Sequence, residues 1–171
     1  RYLAQGLGYA AFLTDTEAVI RLDGVVVRAG FAGATATPEL TTEEPLDAIV
    51  STFAGSDPTG WSSAAPTAEI VRYEQLWPGI DATFRGSGTH LEWDYHVAPG
   101  ADPSSAGVTV AGADHISIDG DRATLTSAGG ELMLTIPAVW QTRRDGTRVD
   151  RDRERRLREC LRQHLLPGQL A

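Results

Sequence analysis

Lysine is absent from this chain: all 15 of its basic residues are arginines. With abundant alanine and glycine, that usage fits coding sequence from a GC-rich bacterial genome. Cysteine is nearly absent too, and its one occurrence, Cys160, excludes an intrachain disulfide and a cysteine-based zinc site. His164 lies four residues on, a spacing that arises incidentally on any amphipathic helix. Positive charge is outnumbered, 15 arginines against 23 acids, for a formal net charge of −8. Phosphate binding is driven by concentrated Lys and Arg, so nucleic acid is not expected as a partner, and anionic membrane surfaces are disfavoured for the same reason. No apolar run approaches the roughly 18 residues of a spanning helix. No G-x-S-x-G elbow presents a serine nucleophile, and no glycine-rich loop precedes a helix to cradle phosphate. The chain opens at Arg1 without methionine or signal peptide. A fragment or trimmed product is therefore expected, with any address label upstream.

What is present is ordinary globular material: 171 residues, 42% hydrophobic and 22% charged, enough for one domain with a sizeable core. Turn signals arrive at short intervals between β-rich runs, at Asp23-Gly24, Gly86-Ser87-Gly88, Gly120-Asp121, Ala128-Gly129-Gly130 and Asp145-Gly146. The runs alternate: Ala123, Leu125 and Ser127 oppose Thr124 and Thr126, and Leu132, Leu134 and Ile136 share a face. No helical stripe is sustained before residue 150, although YEQLWPG allows one turn before Pro78 stops it. The expectation is an all-β domain over residues 1–149, an antiparallel β-sandwich or curled multi-stranded sheet of about ten short strands. The Thr- and Pro-rich stretch at 34–46 is expected to be a surface loop joining two sub-sheets.

From Asp150 the character changes. Residues 150–171 hold six arginines against four acids, whereas the nine arginines of residues 1–149 face nineteen acids. Leu157, Leu161 and Leu165 recur at helical spacing. Two readings stay open for this Arg-rich tail: a short helix docking on the sheet, or GC-rich DNA translated out of frame.

The stretch HLEWDYHV, residues 90–97, draws most attention. On a strand, His90, Glu92, Asp94 and His96 share one face and Leu91, Trp93, Tyr95 and Val97 the other. Same-face neighbours lie about 6.6 Å apart, so His90 and His96 are about 20 Å apart and cannot share an ion. A metal site needs two adjacent members, such as Asp94 with His96, plus a ligand from elsewhere, for which His115 is the available histidine. The competing reading is a solvated face over a half-buried strand, with Arg72 and Arg85 as cross-strand partners of Glu92 and Asp94. In WPGID, Pro78-Gly79 makes a tight turn. Trp77 and Asp81 there serve either as core anchor and backbone tie, or as a stacking and hydrogen-bonding pair for a sugar. Asp102-Pro103-Ser104-Ser105 fits a capped single turn. Asp114, Asp119 and Asp121 lack the donor spacing of a calcium loop.

Taken in order, YLAQGLGYAAFLTDTEAVIRL, STFAGSDPTGWSSAAPTAEIVRYEQLWPGID, LEWDYHVAPGADPSS and SAGGELMLTIPAVWQ resemble a bacterial domain family of unknown function, over roughly residues 2–149. Its members lie near the N-terminus of large secreted proteins and often precede β-propeller-type (SBBP-like) repeats or other extracellular modules. The segment Tyr73–Pro103 carries the most specific matches: Trp77, Pro78, Gly79 and Asp81; Glu92, Trp93 and Asp94; Pro99, Gly100, Asp102 and Pro103. The resemblance implies a β-rich fold at an extracellular or cell-surface location and points to no particular activity; the expectation is a non-catalytic module without a cofactor, with downstream modules of the same polypeptide as partners. Two other functions remain open. One is a carbohydrate-binding module that uses Trp61, Trp77 or Trp140 to stack on a glycan ligand. The other is a metal-dependent hydrolase working through Asp94, His96 and His115.

Overall fold

The computed structural model describes residues 2–22, 24–53, 55–88, 90–119, 122–135, 140–142 and 147–150. These residues are all-β, with single 3₁₀ turns at Pro58–Gly60 and Pro103–Ser105. The strands are β1 (Tyr2–Gln5), β2 (Tyr9–Leu13), β3 (Glu17–Leu22), β4 (Val25–Ala32), β5 (Glu39–Thr52), β6 (Ser62–Trp77) and β7 (Ile80–Ser87). They continue as β8 (His90–Val97), β9 (Gly107–Ala111), β10 (His115–Asp119), β11 (Arg122–Ser127), β12 (Gly130–Thr135), β13 (Trp140–Thr142) and β14 (Arg148–Asp150). All pairings are antiparallel, in a five-stranded sheet β1-β2-β3-β4-β9, a four-stranded sheet β5-β6-β7-β8, a three-stranded sheet β10-β11-β12 and the pair β13-β14. The Arg-rich tail from residue 151, Gly120-Asp121 and Asp145-Gly146 lie outside the described residues, as do Cys160 and Ile136.

The five-stranded sheet has one apolar face, set by register. Leu13, Ala18 and Ala29 align across β2, β3 and β4, and Ile20 aligns with Val27. The four-stranded sheet covers one end of it, joining Leu13, Ala18 and Phe31 to Tyr73, Leu76, Trp77, Ile80, Ala82 and Phe84. The three-stranded sheet covers the other, joining Val25, Val27 and Val110 to Ile116, Ala123, Leu125 and Leu132. Strand β4 thus serves both cores, as its alternating run VVVRAGF allows.

Polar atoms in the first core find partners across the sheets. The Tyr73 hydroxyl donates to the Thr14 carbonyl at 2.8 Å, and the Trp77 indole N–H donates to the Ala32 carbonyl at 2.8 Å. Removing only the first of these bonds, by Tyr73→Phe, leaves the Thr14 carbonyl without that donor. The expected loss is about 1–2 kcal/mol in urea unfolding, with an unchanged m-value.

Three expectations are corrected. The stretch 34–46 is not a loop throughout, because β5 begins at Glu39. Threonine favours strands and an edge strand tolerates Pro45, but exposure on both faces removes the alternation that would have revealed it. YEQLW forms no helical turn: it is the end of β6, interrupted by a bulge where Gln75 takes φ of 49°. Strands β5 and β6 are also not short, at 14 and 16 residues.

Candidate functional site

Strand β8 follows the expected alternation: His90, Glu92, Asp94 and His96 are exposed, while Leu91, Trp93 and Tyr95 are half-buried. Val97 departs from it and is exposed. Trp93 stacks on Phe84 with centroids 6.4 Å apart, and Tyr95 meets the Trp77 ring edge-on at 5.4 Å. The register sets Glu92 opposite Arg85, Asp94 opposite Thr83 and His96 opposite Asp81, and Thr83 in turn lies opposite Arg72 of β6. The outer face of this sheet is therefore a charged plane crossing four strands.

Its guanidinium groups do not turn toward β8 as expected. Arg72 donates through Nε to Glu43 and through Nη1 to Asp81 at 3.2 Å. Arg85 reaches Glu69 at 2.9 Å and Glu44 at 3.2 Å. Each arginine is shared between two carboxylates, three of the four on β5 and β6. Reading 34–46 as loop concealed Glu43 and Glu44 as competitors for these cations. The hydrogen bond from Arg72 holds the Glu43 carboxyl below its ordinary range, with burial opposing and the charge of Arg72 reinforcing. A lowered folded-state value means that Glu43 stabilises the fold above its unfolded value, near 4.3, and that this contribution disappears as pH falls through the folded one. Glu43→Gln is therefore expected to lower the unfolding midpoint at pH 7, with the gap to the parent closing below about pH 4 in a pH series of thermal melts.

The remaining candidates are placed as follows. His96 Nε2 lies 3.3 Å from the Thr83 hydroxyl. His115 is on β10, in a different sheet from Asp94 and His96. Among the described residues, no three His, Cys, Asp or Glu side chains gather in a way that could hold a metal ion. Asp114 accepts from the Ala128 amide at 3.1 Å, and Asp121 lies outside the described residues. Of the stacking candidates, Trp77 is fully buried and offers no face to a sugar, while Trp61 is 43% exposed. The Trp140 side chain lies outside the description.

Several of the residues that carry the resemblance lie in two turns that touch. Pro78-Gly79 turns β6 into β7 with Gly79 at φ of 73°, and Pro99-Gly100 forms a second turn, closed by the Ala101 amide on the Ala98 carbonyl at 3.0 Å. The two turns touch: Ala98 N–H donates to the Gly79 carbonyl at 2.9 Å, and a Cβ on Gly79 would lie 2.6 Å from that of Ala101. Asp81 accepts from the Gln75 amide at 2.8 Å, fixing the bulge, while the Gln75 side chain accepts from the Gly79 amide. Asp102 caps its 3₁₀ turn through the Ser104 amide at 2.9 Å, and Asp57 caps the matching turn through Thr59 at the same distance. That second Asp-Pro cap was legible in the sequence by the same pattern and was missed.

An apolar cleft of about 30 Å³ lies between Ala18, Ile20 and Ala29 of the five-stranded sheet and Phe84, Trp93 and Tyr95 opposite. That is room for a water molecule or two and no organic ligand. No curated protein matches the chain, and no solved structure matches it. Residues 1–154 match the model of a family described as Domain of unknown function (DUF7948), and the chain belongs to that family.

Proposed function

We propose that this chain is a non-catalytic extracellular β-domain, a structural and interaction module on the N-terminal side of a larger secreted or surface bacterial protein. One observation carries this reading. Of the residues specific to the resemblance, Trp77 and Trp93 pack on the first core, Pro78-Gly79 and Pro99-Gly100 form turns that touch, and Asp81 ties the β6 bulge, so each is engaged in packing, turn or backbone contacts. The test is calorimetry of the full polypeptide before and after proteolytic excision of this domain. A module that packs on its neighbours unfolds at a higher temperature while attached. An unchanged midpoint, together with stoichiometric zinc or calcium in the purified protein, overturns the reading.

A second reading, glycan binding, is favoured by Trp61 alone. Its ring is partly open at the β5–β6 connection and meets Phe53 edge-on at 5.6 Å. Binding on a glycan array that disappears in a folded Trp61→Ala variant would support it.

A further inference from the structure

Strands β5 and β6 have 14 and 16 residues, against eight each in β7 and β8. The β6–β7 register begins at Ile70, so, among the described residues, 62–69 pair with β5 alone and the hairpin runs on past the sheet as a two-stranded arm. A hairpin without a third strand or a covering layer is at best marginally stable in water. This arm nevertheless carries Leu46, Ile49, Val50, Phe53 and Trp61, each between 43% and 68% exposed. Large apolar side chains collected on one projecting element mark an interaction surface.

Backbone and charge narrow what covers it. Pro45 on edge strand β5 lacks a donor, and the register shifts between Leu46 and Ile49 and again between Val50 and Thr52. These devices resist addition of another strand, so contact is made through side chains. Residues 45–68, the projecting part, contain two acids, Asp47 and Asp57, and no basic residue. At the root of the arm, Arg72 and Arg85 are already shared between carboxylates, Glu43, Glu44 and Glu69 among them. Two such arms brought together repel, as does an arm against an anionic lipid surface. Phe53 and Trp61 at the β5–β6 connection are the arm's stacking surfaces for a sugar, and the aliphatic Leu46, Ile49 and Val50 offer one neither stacking nor hydrogen bonds.

We infer that the β5–β6 arm docks on a protein surface whose apolar patch is rimmed by arginine or lysine, presented by an adjoining module of the same polypeptide. This rests on the function proposed above. The test places a benzophenone photo-cross-linker at Phe53 of the full polypeptide, and in a separate sample at the exposed Leu7, with folding verified by circular dichroism. The expected result is an intramolecular adduct from position 53 to another module, lost when Ile49→Asp is added. An adduct of doubled mass, one to an unrelated protein, or one to residues 151–171 overturns the inference. An intramolecular adduct from position 7 with none from 53 overturns it and leaves the module reading standing. Adducts from neither site overturn both.

Discussion

Replacing Trp77 by alanine is expected to cost about 3–5 kcal/mol, a large share of the stability of a domain this size. The side chain is fully buried between Phe31 of the five-stranded sheet and Tyr95 of β8, so truncation opens a cavity that two packed sheets cannot close. It also strands the Ala32 carbonyl, which accepts the indole proton. Trp77→Phe retains most of the ring and loses the hydrogen bond, and is expected to cost about half as much. Chemical denaturation followed by far-ultraviolet circular dichroism separates the two variants. A Trp77→Ala protein within about 1 kcal/mol of the parent would mean that this residue is not the anchor of the first core.

Gly79→Ala carries the second large effect, about 2–5 kcal/mol from two additive sources. One is conformational: φ of 73° costs an L-residue about 1–2 kcal/mol. The other is steric, because the new methyl lies 2.6 Å from the Ala101 Cβ on the facing turn. Gly100→Ala serves as the internal control. Its φ is 89° and a Cβ there meets nothing within 4 Å, so only the conformational part is expected. If the two variants unfold at the same denaturant concentration, the contact between the Pro-Gly turns has no energetic weight.

The sequence is most legible where a residue's role is decided by its immediate neighbours. The alternation along β8 from His90 to His96, the Pro78-Gly79 turn and the Asp102 cap all depend on spacing within a few residues, and each appears where the pattern puts it. The β5–β6 hairpin was illegible for the opposite reason. Its far half has no core to face, so AIVSTF shows no period of two, and Pro45 reads as a loop signal unless the strand is known to be an edge. The partners of Arg72 and Arg85 depended on that same hairpin and were misplaced with it. Burial of Trp77 was one of two local possibilities. Only the position of Ala32, 45 residues earlier in the chain, decides between them.

The charged row on β8 is the place where a chemical site would have to be if the domain had one there. Isothermal titration of the protein with zinc and with calcium, set beside a Glu92→Gln, Asp94→Asn, His96→Gln variant, tests this directly. A solvated face predicts the same heats in both proteins and an unfolding free energy altered by no more than about 1 kcal/mol. Saturable binding of one ion per chain that vanishes in the variant would contradict it.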